Sequence, residues 1–464
     1  MVIKNLRQGD ALAGLLIDGA PETPYVGATL TYDEQNGIRI EVPFLYAADT
    51  DQFDHVRQWF TSERPPRNLQ FVTNSKTYSL FGCRYAGHTM TSGSSFTLAL
   101  IQPQEVVSGI REGNLADPLE VREFYSDLDG LAEWTNLRSV RHEARAGEDG
   151  RIQQFTITAG KPESIQWMQG EAQMELRTGW FTGSKDRESK VEEWVTLGSA
   201  FDTPVPLDRH FIEHRKVSSF LKFLFGGQVA FRKHRVSDYR FASQTPSSES
   251  KARLPPLDLI SRRTFKESSS PKPSKRSLLP LAPLAEVGIE GLESWARSYD
   301  QWGRFIHPAE SALSRQGDAL ENNVISFSMS LEAAGHLFGA VAGEEGTLQK
   351  NGKATTSTYS YRCISSLGID CEGIAASTVG LAKALSNNYN TIKHFDRGEF
   401  PDPTETYLVS EVLKMTSRLI ALRIANLSDS VRESAARRLG ADVKQAFAHT
   451  GRHISDSGQF VGTK

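Results

Sequence analysis

The hydrophobic periodicity of this chain changes near its middle, and that change limits the folds available to it. In the first half, short runs such as Thr29–Tyr32, Ile38–Val42 and Arg151–Ala159 alternate apolar with polar residues. A period of two is typical of β-strands with one buried face. In the second half, apolar residues recur every three or four positions, as from Leu408 to Leu422, which is typical of helices. The sequence therefore predicts a β-rich region followed by an all-α region.

Further strands are predicted along the first half, at Asn68–Val72, Tyr78–Cys83, Phe96–Ile101, Met174–Phe181 and Val191–Leu197. Short strands at such spacing predict a sandwich or barrel-like fold. The pair Asn36-Gly37 predicts a tight hairpin turn. Two helices are predicted to interrupt the strands, at Asp51–Ser62 and Leu207–Phe225, and the second ends at a natural stop, Gly226-Gly227.

A polar segment rich in Ser, Pro and Lys separates the two halves. Between residues 251 and 277 there are eight Lys or Arg and two Asp or Glu. Such a composition buries too little apolar surface to offset the entropy of ordering. Two interpretations remain open, a solvated linker and a basic arm that binds phosphate, and the linker is the simpler one.

The second half contains a series of predicted helices, at Ile289–Phe305, Ala319–Phe338, Thr356–Leu367, Cys371–Ser386 and Ser430–Ala448, with one more beginning at Asp402-Pro403-Thr404-Glu405. That start combines an Asp cap, a Pro in the first turn and a Glu three residues after the cap. Five or six helices predict a bundle. The expected protein is of the α+β multidomain class, with a β-rich domain (1–243), a basic Ser/Pro-rich linker (244–285) and a helical bundle (286–464).

Composition excludes several functional classes. The 464 residues are 39% hydrophobic and have a net charge of −3, which is typical of a globular protein and argues against a uniformly basic nucleic-acid coat. The three cysteines form no Cys-x-x-Cys pair, and no phosphate-binding glycine motif occurs. No long apolar run is present. We therefore expect a cytoplasmic protein without a membrane segment, a cofactor or a metal.

Two histidine pairs have the four-residue spacing of metal ligands on one helical face, His210 with His214 and His449 with His453. Neither pair has a third candidate ligand nearby in the sequence. We therefore expect no metal site at either pair.

The candidate catalytic segment is Tyr389-Asn390-Thr391-Ile392-Lys393-His394, which follows an apolar helical stretch. Histidine can accept or donate a proton near neutral pH. Residues four apart share a helical face, so Asn390 lies beside His394 and Tyr389 beside Lys393. Together they can present a polar corner to the phosphate of an RNA, whose ribose 2′-OH is a built-in nucleophile.

Two charged residues follow the histidine and extend this candidate site. Asp396 could orient the imidazole, and Arg397 offers a positive charge to the substrate. Other interpretations stay open. His394 could be a histidine at a helix end whose hydrogen bonds are made within the bundle, and Asn390 could cap that helix. Tyr389 could be a packing residue. Lys393 and Arg397 could be ordinary positive charges at a helix C-terminus, where the helix dipole favours them.

These features resemble a known family. The pattern around His394 is similar to the Arg-x4–6-His signature of the HEPN superfamily, and the whole chain resembles ApeA-type anti-phage proteins, in which an ApeA domain precedes a HEPN-like domain. The matching pieces are Pro24–Leu30 with its hairpin, the helix from Leu207 to Gly227, Ser326–Glu332 and Ile392–Arg397.

The resemblance implies an endoribonuclease of abortive infection that needs no metal. It implies a homodimer formed through the helical bundle, with host RNA, often tRNA, as substrate and 2′,3′-cyclic phosphate and 5′-OH ends as products. His394 would be the general acid and base, Asn390, Lys393 and Tyr389 would assist it, and Arg397 and Asp396 would bind substrate. The N-terminal domain would sense a phage protein.

This sequence departs from the family signature at one position. With four residues between the signature arginine and His394, the arginine is expected at the position of Tyr389. With five or six residues between them, it is expected at Asn388 or Asn387, and none of the three is arginine. Tyrosine cannot form the bidentate cationic clamp of a guanidinium. The alternatives are a catalytically degenerate HEPN module that binds RNA or regulates, and an interaction protein in which the β-rich domain binds a protein ligand.

Overall fold

The fold is described from a computed structural model. It describes residues 6–21, 23, 25–33, 35–44, 54–90, 97–185, 188–242, 256–273, 279–315, 317–394, 396 and 399–462. Strands occupy mainly the first 261 residues and helices mainly the remainder. The predicted order of a β-rich region followed by a helical region is confirmed.

The strands of the N-terminal region are β1 (Ala11–Ile17), β2 (Val26–Asp33), β3 (Gly37–Phe44), β4 (Asn68–Val72), β5 (Thr77–Phe81), β6 (Arg84–Met90), β7 (Thr97–Gln102), β8 (Glu105–Val107), β9 (Ile110–Arg111), β10 (Glu120–Leu128), β11 (Val140–Ala146), β12 (Ile152–Ala159), β13 (Ser164–Gln169), β14 (Ala172–Lys185), β15 (Glu188–Pro206), β16 (Phe231–Ser237), β17 (Phe241–Ala242) and β18 (Leu257–Ser261). The helices among them are α1 (Asp54–Thr61), α2 (Leu131–Thr135), α3 (Leu207–Phe225) and α4 (Phe265–Ser268).

The C-terminal region contains α5 (Leu284–Ser298), α6 (Gly303–Ser314), α7 (Leu320–Phe338), α8 (Thr356–Ser366), α9 (Thr378–Lys393), α10 (Pro403–Ile424) and α11 (Asp429–Thr450), and ends in a hairpin of β19 (Arg452–Ile454) and β20 (Phe460–Gly462). The predicted helix at Ile289–Phe305 is wrong in its bounds. It is two helices, α5 and α6, because the chain leaves the helix between Tyr299 and Trp302. The predicted start of α10 is confirmed, since the Asp402 carboxylate accepts from the N–H of Thr404 and Glu405.

Fourteen of the described strands form one antiparallel ladder, in the order β6-β7-β3-β2-β1-β4-β5-β8-β18-β16-β10-β15-β14-β13. A sandwich has two separate sheets and a barrel has a closed one. In the described part of the chain, the outermost strands of the ladder, β6 and β13, do not pair with each other, and six further strands form three separate two-stranded sheets. The prediction of a β-rich N-terminal region is confirmed by this large antiparallel sheet, and its sandwich or barrel-like arrangement stays a prediction. The hairpin of β2 and β3 is confirmed, but its loop has three residues, because Asp33 pairs with Gly37.

Strand β18 lies inside the segment that we predict as a linker. It pairs with β8 on one side and β16 on the other, and thereby joins the two halves of the sheet. Leu259 in its centre is 3% exposed. The expectation that this segment buries too little apolar surface is therefore wrong at 257–261.

Helix α3 connects the sheet to the helical region through shared apolar contacts. The ring of Phe220 lies 5.0 Å from that of Trp295 in α5, and Phe223 stacks on Phe305 in α6 at 5.7 Å. The buried Arg418 of α10 donates hydrogen bonds to the carbonyl oxygens of Phe223 and Leu224. One hydrophobic cluster therefore continues from the sheet through α3 into the bundle.

The C-terminal hairpin packs against the first turn of α9 at a glycine. A Cβ on Gly380 would lie 2.3 Å from the carbonyl oxygen of Ser455, so the two backbones approach as closely as glycine permits. We expect Gly380→Ala to lower the free energy of unfolding by about 1–3 kcal/mol, because backbone would have to move. Chemical denaturation measures this change.

Gly440 of α11 is the matched control, because a Cβ there would meet nothing within 4 Å. We expect Gly440→Ala to stabilise the protein by about 0.5–1 kcal/mol, through the lower backbone entropy of alanine in the unfolded chain. Equal effects of the two substitutions would contradict the importance of the contact with Ser455.

Candidate functional site

The candidate histidine lies where α9 ends. Ser377 caps the start of α9 by accepting a hydrogen bond from the N–H of Gly380 at 3.1 Å. His394 follows the last residue of the helix. Its N–H still donates to the Asn390 carbonyl oxygen at 3.0 Å, but its backbone has left the helical conformation, with φ −107° and ψ 101°. The histidine therefore lies in the connection between α9 and α10, as the motif predicts.

His394 and Asn390 are both half-buried, so both are open to solvent in part. The side-chain amide of Asn390 donates to the hydroxyl of Ser386, one turn earlier, at 3.2 Å. Within the described part of the chain, the His394 imidazole has no hydrogen bond or ion pair. Its ring nitrogens can therefore bind a ligand.

Tyr389 and Lys393 are brought together, but they differ in exposure. Tyr389 is 2% exposed and belongs to the hydrophobic core. Lys393 is exposed, and its Nζ lies 5.3 Å from the centroid of the Tyr389 ring, in a cation–π contact. This contact holds the ammonium group at the end of α9. Tyr389 supports the site from below and does not face solvent.

The two predicted substrate-binding residues have different outcomes. Asp396 is described and exposed. Arg397 lies outside the described residues. Phe395, which lies between His394 and Asp396 in the sequence, is also outside them.

Asn388 is a polar residue of the site, and in the sequence it stands out only as one of the positions where the signature arginine is missing. It is 5% exposed, and its amide donates to the Thr406 hydroxyl of α10 at 3.2 Å. Its Oδ1 has no partner among the described residues. Asn388 therefore ties the end of α9 to the start of α10, across the connection that contains His394. In the sequence, the sign of this role is that Asn388 is a polar residue on the otherwise apolar helical face of Leu381 and Leu385.

An arginine near the start of α10 is Arg452 of β19. Its Nη1 lies 4.0 Å from Oε1 of Glu405 in the first turn of α10, and the side chain is about one third exposed, at 36%. A positive charge from outside the motif therefore lies close to the first turn of α10.

The two histidines of α3 that have the four-residue spacing of metal ligands, His210 and His214, are both completely buried. His210 Nδ1 lies 2.7 Å from Ser199 Oγ, and His214 Nε2 lies 2.9 Å from the same hydroxyl. No group of three metal-ligating side chains occurs among the described residues.

Comparison with models of known families identifies the N-terminal part of the chain. The model of the family described as ApeA N-terminal domain 1 matches residues 16–297, which is more than half of the chain. The chain belongs to the ApeA N-terminal domain 1 family. The ApeA part of the resemblance is thereby confirmed, and it suggests an ApeA-like defence protein. No curated protein and no solved structure gives a significant match.

The ApeA match has bounds that differ from the predicted domain of 1–243. It continues through β18 and α4 and ends near the end of α5. It stops before α9, so the candidate site around His394 lies in the part of the ApeA chain that the family model does not cover. Among the described residues, no helix is long and apolar enough to span a membrane.

Proposed function

We propose that this ApeA-family chain is an anti-phage defence protein whose helical region is a HEPN-like, metal-independent endoribonuclease. The observation that carries the proposal is the position of His394 at the α9–α10 connection. The histidine is half-buried, and its imidazole has no hydrogen bond among the described residues. It lies one helical turn from Asn390 and next to Lys393, whose ammonium group contacts the Tyr389 ring. Membership in the ApeA family supports the defence role.

In the proposed reaction, His394 removes the proton of a ribose 2′-OH, and the resulting oxygen attacks the adjacent phosphorus. A histidine from a second copy protonates the departing 5′ oxygen, which is why a homodimer through the bundle is part of the proposal. Lys393 and Arg397 stabilise the charge that develops on the phosphate, and Asn390 and Asp396 orient the groups around it. The products carry 2′,3′-cyclic phosphate and 5′-OH ends.

The RNA is proposed to be host RNA such as tRNA, cut in the cytoplasm after the N-terminal domain has bound a phage protein. The continuous core from the sheet through α3 into the bundle supports control of one region by the other, because a change in the sheet can reach the helices through packed side chains.

The second candidate is a catalytically degenerate module that binds RNA or regulates a partner. It is favoured by Tyr389, which occupies the position of the signature arginine and is buried in the core. A buried phenol supplies no cation to the phosphate, so catalysis would depend on Lys393, Arg397 or a remote arginine such as Arg452.

An RNA cleavage assay in EDTA tests the proposal. We expect the wild type to cut a tRNA mixture, with lysate from phage-infected cells as the source of a trigger, and His394→Ala to lower the rate at least about 100-fold through loss of proton transfer. His449→Ala is the matched control, because His449 is an exposed histidine near the end of α11. The fragments should need a phosphatase that opens cyclic phosphates before their 3′ ends can be extended.

Two outcomes separate the candidates. Equal cleavage by the wild type and by His394→Ala would exclude the catalytic role of His394. Binding of tRNA by the wild type without any cleavage, with and without the lysate, would favour the degenerate module.

A further inference from the structure

Strands β11 and β12 form a hairpin of their own, separate from the fourteen-stranded ladder. The structure holds this hairpin at its base. The Glu193 carboxylate of β15 accepts from the N–H of Val140 at 2.9 Å, and the Trp180 indole of β14 donates to the Gly160 carbonyl oxygen at 2.8 Å. Beyond the base, every residue of the two strands up to Thr158 is exposed. A two-stranded hairpin in water is marginally stable at best, so a further strand would stabilise this one.

The two faces of the hairpin differ in chemistry. Phe155 and Ile157 project from one face and are 59% and 42% exposed. His142 is opposite Ile157 in the register of the strands, and its ring stacks on that of Phe155 at 5.9 Å. The other face carries Arg141 and Glu143, which alternate with His142 along β11. The hairpin therefore has one apolar face that is open to solvent.

The two edges of the hairpin also differ. Strand β11 carries Arg141, Glu143 and Arg145, whereas β12 contains no charged residue and no proline. Natural proteins place charges or prolines on exposed edge strands, which prevents pairing with other chains. Among the described residues, no strand pairs with the outer edge of β12 along its regular run from Gln154 to Ala159. This edge is therefore suited to pairing with a strand of another chain.

We propose that β12 pairs antiparallel with β12 of a second copy of this chain. The resulting sheet has the order β11-β12-β12′-β11′, in which primes mark the second copy. Its two central strands are uncharged, and its two edge strands carry the charges of Arg141, Glu143 and Arg145, as in natural sheets. A strand from an unrelated partner would cover β12 but bring an edge of its own. The distribution of charge over the hairpin therefore favours a second copy as the occupant.

The sequence of β12 is compatible with pairing to itself. Two copies of one strand that pair antiparallel are related by a twofold axis perpendicular to the sheet, and this axis passes between two identical residues. An axis at Thr156 keeps the pairing within the regular run, with Gln154 beside Thr158 and Phe155 beside Ile157 of the other copy. No charges meet, and pairs of an aromatic and a β-branched side chain are favourable. The apolar side chains of both copies lie on the same face of the joined sheet.

This interface lies in the ApeA region and does not involve the helical bundle. It goes beyond the proposed ribonuclease function and does not depend on it. Because the paired run is short, we expect weak association, with a Kd of about 1–100 µM, as for interfaces at the small end of the size range. If the bundle dimerises as well, the same contact joins dimers into larger assemblies.

Size-exclusion chromatography of the full chain with light scattering tests the pairing, over concentrations that bracket this Kd. We expect Thr156→Lys to lower the mass of the wild-type assembly at least about twofold at the highest concentration, because two ammonium groups would meet at the axis. The new lysine lies opposite Glu143 within the hairpin, so the hairpin itself should persist. Thr182→Lys is the matched control and should keep the wild-type mass, because Thr182 is an exposed residue of β14 outside the hairpin.

A cysteine at the proposed axis gives an independent test. In Thr156→Cys, the two thiols would face each other across a strand pair, whose Cα separation of about 4.5–5.5 Å a disulfide can span. We expect mild oxidation to link these chains at least about tenfold faster than those of Glu143→Cys, whose cysteine would lie on the outer strand β11. The native cysteines are the same in both variants, and Cys83 and Cys363 are buried.

Two results would overturn the proposal. One is an equal mass for the wild type and Thr156→Lys throughout the concentration range. The other is an equal rate of linkage for the two cysteine variants. Both readouts report on the assembly alone, so neither bears on cleavage of RNA by His394.

Discussion

Replacing Arg418 by alanine is expected to lower the free energy of unfolding by about 3 kcal/mol. The side chain is 8% exposed, and its Nε and Nη2 donate to the carbonyl oxygens of Phe223 and Leu224 at 2.8 and 2.7 Å. These carbonyls are at the C-terminal end of α3, where the helix dipole favours a positive charge. Truncation removes both charge-assisted hydrogen bonds and leaves a cavity between α3 and α10.

The charge of Arg418 persists at physiological pH. Burial is the main cause that lowers the pKa of its guanidinium, to about 10, with a further contribution from Arg438. A group with a pKa near 10 is still protonated at neutral pH. Since burying a charge is itself costly, Arg418→Met, which keeps most of the side-chain volume, should destabilise the protein less than Arg418→Ala.

Urea denaturation followed by circular dichroism measures these differences. Arg437→Ala is the matched control, because Arg437 is an exposed residue of α11 and should change the free energy of unfolding by at most about 0.5 kcal/mol. A loss below about 1 kcal/mol for Arg418→Ala would contradict the view that this arginine joins the ApeA region to the bundle.

Helix boundaries set by local chemistry could be predicted from the sequence. The start of α10 depends on Asp402 and Pro403, whose effects act within one turn, and the structure places both as expected. The stop of α3 at Gly226 is also local, since this glycine has φ +71°. The second reason for a glycine at this position is not local. A Cβ on Gly226 would lie 2.6 Å from Cζ of Arg418, almost 200 residues away in the chain.

Strand β18 could not be predicted, because its stability comes from remote partners. Leu259 pairs with Val107 and His234, and both lie in other parts of the sequence. The five residues of β18 are flanked by prolines and by a basic, serine-rich run that dominate the local composition. A short strand in the middle of a ladder is stabilised by the neighbours on both sides, and a single-sequence pattern does not contain them.

The candidate site was predictable in part. The position of His394 at a helix end follows from the apolar stretch before it and the cap after it, and the structure agrees. The burial of Tyr389 was also encoded, since Leu381, Leu385 and Tyr389 are spaced four apart on one helical face. The hydrogen bond between Asn388 and Thr406 was not, because it requires knowing how α9 and α10 cross.

The buried histidines of the ApeA region lead to the second large prediction, because their hydrogen bonds form one continuous chain. Its successive members are Val121 O, His210, Ser199, His214, Ser126, His234 and Thr264, with distances of 2.7–3.0 Å. A carbonyl oxygen only accepts, so His210 Nε2 is the donor at one end. Each neutral imidazole has one donor and one acceptor, and each hydroxyl donates once. The direction of every bond therefore follows from the first.

A chain of this kind satisfies three neutral imidazoles, each with one donor and one acceptor, and burial of the three rings disfavours the charged imidazolium form. Burial lowers the pKa of His210 to about 4 and of His234 to about 3, and it lowers the pKa of His214 well below its usual value. The unfolded chain binds protons on these residues below a pH of about 6.5, whereas the folded chain does not until the pH is much lower. Stability is therefore fully present above that pH and is lost as the pH falls.

We expect His214→Phe to lower the free energy of unfolding at alkaline pH by about 3 kcal/mol, because the hydroxyls of Ser126 and Ser199 each lose a buried partner. Between about pH 6.5 and pH 5, the free energy of unfolding of this variant should fall less steeply with pH than that of the wild type. The two slopes should differ by up to about 1.4 kcal/mol per pH unit, because the variant binds one proton fewer on unfolding. Urea denaturation across this range gives both quantities, and His449→Phe, at an exposed position, should change neither. If His214→Phe and the wild type lost stability with equal slopes, His214 would titrate alike in the folded and unfolded chain, and the directed chain of neutral histidines could not exist.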